Sequence, residues 1–126
     1  MQRGKLIENG VKLRSHERKT VEFLLDLGYD ISLIPKSNVD GVHTPDLFMN
    51  GEEWEMKAPK GKGKFLFQNT IQDCAAQAKN AIIDIRRLDL PREKVLREFK
   101  KEFDRSKKLK KMIIITKQHK KLDYSK

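Results

Sequence analysis

An α/β domain, a mixed β-sheet flanked by helices, is what this chain predicts, on three observations. Amphipathic segments with helical spacing alternate with short strand-like runs. Two of those runs flank Asn50-Gly51, the strongest short hairpin signal. Two mostly apolar runs, 81–85 and 112–116, have the composition of buried parallel strands. The predicted order is helix, three strands, helix, strand, helix, strand. A length of 126 residues suits one domain with a real core, here expected over 15–116, with an N-terminal arm over 1–14 and a basic tail over 117–126.

Each element has a local reason. Ser15 can cap a helix whose apolar positions are Val21, Leu24, Leu25 and Leu27, with Gly28 as its stop signal. The run 29–35 alternates Ile31, Leu33 and Pro35 with polar residues and reads as a strand; 36–43 reads as a loop. The hairpin arms follow, and Pro59, Gly61 and Gly63 end the second one. From Asn69, itself a candidate cap, Ile71, Cys74, Ala75 and Ala78 trace a helical face. A third helix starts near Pro91, with Val95, Leu96, Phe99 and Phe103 on its apolar side.

Lys and Arg number 28 against 18 Asp and Glu, a net charge of +10. Residues 1–91 hold 14 basic and 13 acidic residues, whereas 92–126 hold 14 and 5. The field therefore belongs to the last third, and a surplus of this size points to a polyanionic partner, nucleic acid first. The apolar runs are far shorter than the roughly 20 residues that span a bilayer, so no membrane partner is expected, and no signal peptide opens the chain. A cytoplasmic setting follows, that of the target cell if the domain is delivered within a larger secreted chain. Cys74 is the single cysteine and reads as a buried reduced thiol.

Within "WEMKAP", alternation puts Glu55 and Lys57 on one face and Trp54 and Met56 on the other. The hairpin brings Asp46 beside them. Two carboxylates are hard oxygen ligands suited to Mg²⁺ or Mn²⁺, and the Met56 carbonyl is a further candidate ligand. A neighbouring lysine can orient an attacking water or steady charge building on phosphorus. The bland alternative is a surface Glu–Lys pair worth under about 1 kcal/mol.

"TPD", a hairpin and then "WEMK" resemble the PD-(D/E)XK nuclease superfamily at Pro45-Asp46 and Glu55-Met56-Lys57. The stretch 43–61 is most similar to the C-terminal nuclease domains of CdiA-type contact-dependent growth inhibition toxins, many of which cut tRNA. The resemblance implies a PD-(D/E)XK nuclease-like fold, a metal-dependent endonuclease acting on RNA, tRNA above all, and a cognate immunity protein. A DNA endonuclease of a phage or mobile element, and a non-catalytic nucleic-acid binder with the same fold, are the alternatives.

In that superfamily the first helix usually lends a glutamate to the metal. Glu17 lies four residues before Val21, on the apolar side, and is preferred to Glu22; its alternative role is a first-turn carboxylate favoured by the helix dipole. His43, three residues before Asp46, is a candidate proton donor to the leaving oxygen, with an idle loop histidine as the alternative. His16 precedes Glu17, but Thr20 stands where HExxH needs its second histidine, so zinc is discounted. Lys60, Lys62 and Lys64, spaced by glycines, are expected to meet the nucleic-acid backbone, and Gln72 to touch phosphate or water. Phe65 and Phe67 could stack on bases, with core packing expected for at least one.

Overall fold

The computed structural model describes residues 2–126, so Met1 of the expected arm lies outside the described residues. Its elements are β1 (Leu6–Ile7), α1 (Ser15–Asp26), β2 (Ile31–Leu33), β3 (Leu47–Met49), β4 (Glu52–Lys57), α2 (Leu66–Gln77), β5 (Asn80–Asp84), α3 (Arg92–Arg105), β6 (Lys111–Ile115) and β7 (Lys121–Ser125). The strands form one sheet in simple sequence order, β1 to β7. The β4–β5 and β5–β6 pairs are parallel, and β2–β3, β3–β4 and β6–β7 are antiparallel. The mixed α/β class read from the sequence is the class observed.

Two apolar clusters, one on each face, make a three-layer core. On one face α1 sets Val21, Leu24 and Leu25 against Leu47, Met49, Trp54 and Met56. On the other, Ile71 and Cys74 of α2 and Val95, Phe99 and Phe103 of α3 cover Ala81, Ile83, Met112 and Ile114. β5, between two parallel neighbours, is buried at all five positions.

The hairpin turn has φ of +55° at Asn50 and +76° at Gly51, the left-handed pair that a two-residue turn needs. Its register, Leu47 opposite Trp54 and Met49 opposite Glu52, turns Trp54 and Met56 to the α1 side. Glu55 and Lys57 follow on the other side. β4 is shared between neighbours: 52–54 pair with β3, and 55–57 pair with β5. After the Asp46 amide bonds Trp54 O at 3.0 Å, β3 and β4 part. The sheet forks at the two carboxylates.

Several boundaries differ from the sequence reading. The tail contains β7, whose Leu122 and Tyr124 pack on the second cluster, so 121–125 belong to the domain. The arm is docked too: β1 runs parallel to β2, and the Gly4 amide bonds Leu25 O at 2.8 Å. A β-carbon on Gly4 would lie 1.7 Å from Tyr29 O, so only glycine fits. Arg14, not Ser15, holds the cap position of α1; Leu27 is exposed, and α1 stops at Gly28 with φ +97°. α2 begins at Leu66 with Phe65 as its cap, which places Asn69 inside the first turn.

Candidate active site

Where the sheet forks, a cavity of about 420 Å³ opens between β4 and the first turns of α1 and α2. Asp46, Glu55 and Lys57 line it, with Glu17 and Thr20 from α1, Lys36 from the 34–46 loop, and Thr70 and Asp73 from α2. The hairpin thus brings the three expected side chains into one cavity.

Glu55 is 5% exposed, and its Oε1 is buried without a hydrogen-bond partner. Lys57 Nζ stands 4.0 Å from Glu55 Oε2. Asp46 is better satisfied: Oδ1 accepts from Lys36 Nζ at 2.9 Å and Oδ2 from the Met56 amide at 2.9 Å. The Met56 amide thus ties β4 to Asp46. Burial, then the Asp46 charge and a hydrogen bond with Asp46, push the Glu55 pKa up to about 8 against the pull of Lys36 and Lys57. Burial likewise pushes the Cys74 thiol up.

A buried carboxylate oxygen with no donor, beside a second carboxylate, is a donor set that suits a hard divalent cation. Asp46 and Glu55 fit such an ion. Glu17 lines the same cavity, and its Oε1 accepts the Arg14 amide at 2.8 Å, so it does serve the helix N-terminus. Among the described residues, no group of three His, Cys, Asp or Glu side chains is close enough to share one metal ion. Glu17 therefore shares the cavity with the pair without forming a three-carboxylate cluster with it.

His43 lies elsewhere, in a separate cavity with Glu52, Glu53, Lys79 and Lys108. Lys60, Lys62 and Lys64 are exposed beyond the end of β4 and do not line the site, and Gln72 points to solvent. The side chains that sequence reasoning missed are Lys36, Thr70, Asp73, Arg14 and His16. His16 occupies the cavity where His43 was expected. Phe67 packs edge-on against Phe99 at 4.9 Å, whereas Phe65 is exposed.

The family model for the contact-dependent growth inhibition CdiA C-terminal domain matches residues 43–120 of this chain. The chain belongs to the CdiA C-terminal domain family. The match takes in Asp46, Glu55 and Lys57 and leaves α1, with Glu17 and His16, outside it. The CdiA C-terminal domain described here is also similar to a solved structure, the CdiA-CT/CdiI toxin and immunity complex from Burkholderia pseudomallei. The TM-score is 0.69, with 18% identity over 98% of this chain and 100% of that one. At that identity the likeness shows the fold. No curated protein matches the chain. Among the described residues no helix is long and apolar enough to cross a membrane.

Proposed function

We propose that this CdiA C-terminal domain is a metal-dependent endonuclease of PD-(D/E)XK type that hydrolyses phosphodiester bonds in RNA, with tRNA the preferred substrate. It acts as a contact-dependent growth inhibition toxin in the cytoplasm of a target cell and is held in check by a cognate immunity protein. The observation that carries the reading is the orphaned, buried Oε1 of Glu55 beside Asp46, with Lys57 at 4.0 Å.

Asp46 and Glu55 would hold Mg²⁺ or Mn²⁺. A bound divalent ion supplies Lewis acidity and a lowered pKa for water. The remaining work falls to the chain's own groups. Lys57, 39% exposed at the side chain, presents its ammonium to the attacking water or to the charge that builds on the phosphoryl oxygens. Arg14 and Lys36 line the same cavity and draw the phosphate in. His16 can deliver a proton to the oxygen that leaves. Water oxygen bonds to phosphorus and releases a proton to solvent, the bridging P–O bond breaks, and the departing oxygen takes the proton from His16.

The immunity partner rests on the CdiI protein named in the similar complex, and the preference for tRNA on the resemblance to toxin nuclease domains, many of which cut it. The test is cleavage of labelled tRNA and of plasmid DNA with Mg²⁺, with Mn²⁺ and with EDTA, using Lys57→Ala as control. Metal-dependent tRNA cleavage that disappears in Lys57→Ala is expected. Cleavage of DNA alone overturns the RNA assignment, and cleavage of neither overturns the nuclease reading.

A further inference from the structure

A second groove, of about 770 Å³, runs along the other side of the first turns of α1. Its walls are His16, Lys19, Arg86, Arg87, Lys117 and His119, with Asp84 at the floor. These residues come from α1, from the turn after β5 and from the turn between β6 and β7.

The one acid in the groove is spent internally. Asp84, 3% exposed, accepts from Thr20 Oγ1 at 2.7 Å and from Arg86 Nε at 2.9 Å and Nη2 at 2.7 Å. Arg86 also donates to Lys19 O at 3.0 Å and lies 5.2 Å from the centre of the Phe23 ring. Asp84 and Arg86 thus cancel in charge while fixing each other in place. Among the described residues, Lys19, Arg87 and Lys117 make no ion pair. Three uncompensated cations therefore face one groove, against a rigid floor.

The groove joins the catalytic cavity. His16 lines both, and Thr20 lines the cavity while its hydroxyl bonds the acid beneath the groove. None of the large exposed apolar side chains, Ile7, Leu27, Val39, Val42, Phe48 and Phe65, lines it. A protein interface would be expected to anchor on such groups, whereas a phosphate backbone needs only positive charge and donors.

We propose that this groove is a second phosphodiester-binding site, which holds the nucleic-acid strand that flanks the bond cleaved in the adjoining cavity. The assignment rests on the nuclease reading for the identity of the polymer, and it requires no metal. Lys19, Arg87 and Lys117 contact backbone phosphates, and the strand passes over His16 from one cavity to the other.

The test is equilibrium binding of labelled tRNA and of linear DNA in EDTA over a salt titration. It compares the parent protein, Lys19→Ala/Lys117→Ala, the same double variant with Arg87→Ala, and a charge-matched control, Lys79→Ala/Lys108→Ala, from the third cavity. The double groove variant should bind about tenfold more weakly and lower the log–log salt slope by nearly 2, with the third change adding to both. The control should keep the parent's slope. Parental affinity and slope in the groove variants, or an equal loss in the control, would overturn the site. Groove-dependent binding by a protein that cuts nothing sinks the hydrolytic reading and leaves the groove standing. Cleavage with no groove dependence does the reverse, and a parent that neither binds nor cuts nucleic acid removes both.

Discussion

Glu55 and Asp84 make an instructive pair. They lie on adjacent central strands, β4 and β5, and are 5% and 3% exposed. Asp84 has a hydroxyl and a guanidinium on its oxygens. Glu55 has a lysine at 4.0 Å, a second carboxylate, and one oxygen with nothing. Equal burial with opposite satisfaction separates a carboxylate that holds the fold from one kept ready for a ligand. Burying a charge is costly unless it is paired. The fold meets that cost at Asp84 with Arg86, whereas at Glu55 burial and Asp46 push the pKa up to about 8.

The comparison breaks most sharply on activity. Lys57→Ala and Glu55→Gln should each lower nucleic-acid cleavage by at least about 10²-fold, measured as initial rate with saturating Mn²⁺. Arg86→Met should leave Asp84 buried and unpaired, at a cost of about 3–5 kcal/mol in urea unfolding. Equal stability of Arg86→Met and the parent would erase the distinction between the two acids. Thr20→Val, which deletes the hydroxyl on Asp84 at 2.7 Å, should cost about 1.5–3 kcal/mol by the same measurement.

A further effect, with a definite sign, concerns pH. Glu55 is raised from 4.5 to about 8 on folding, so between those values the native state keeps a proton that the unfolded chain has lost. Metal-free stability from this group is then greatest below about pH 4.5 and declines as pH rises toward 8. Thermal unfolding of Glu55→Gln in EDTA should show a flatter pH dependence than the parent. Stabilisation by Mn²⁺ should run the other way and grow with pH, because the ion must displace the proton.

Much of this arrangement was legible because its causes are local. Asn50-Gly51 sets the hairpin register, and period-two alternation then puts Glu55 and Lys57 opposite Trp54 and Met56. Asp46 follows, one residue beyond the paired arm. The apolar stripes of α1, α2 and α3 were equally local. β7 was missed because Leu122 and Tyr124 alternate with Lys121, Asp123 and Ser125 in a lysine-rich stretch that hides a half-buried edge strand.

The rest depended on tertiary placement. The path of the 34–46 loop brings Lys36 to Asp46 and sends His43 to another cavity, and no local pattern encodes that path. On α2, one residue of helix phase, about 100°, separates Gln72, outside the cavity, from Asp73, which lines it. The charge count located the basic surplus in the last third, yet Lys19, Arg87 and Lys117 meet in space from positions nearly a hundred residues apart. Linear charge density finds a polyanion binder more readily than it finds the binding surface.

The most direct test of the difference between the two acids is calorimetric titration of Mn²⁺ into the parent, Glu55→Gln, Asp46→Asn and Thr20→Val. One ion per chain should bind the parent and Thr20→Val, with no measurable binding to either carboxylate variant. Undiminished Mn²⁺ binding in Glu55→Gln, or none in the parent, would contradict the assignment of Asp46 and Glu55 as the ion's holders.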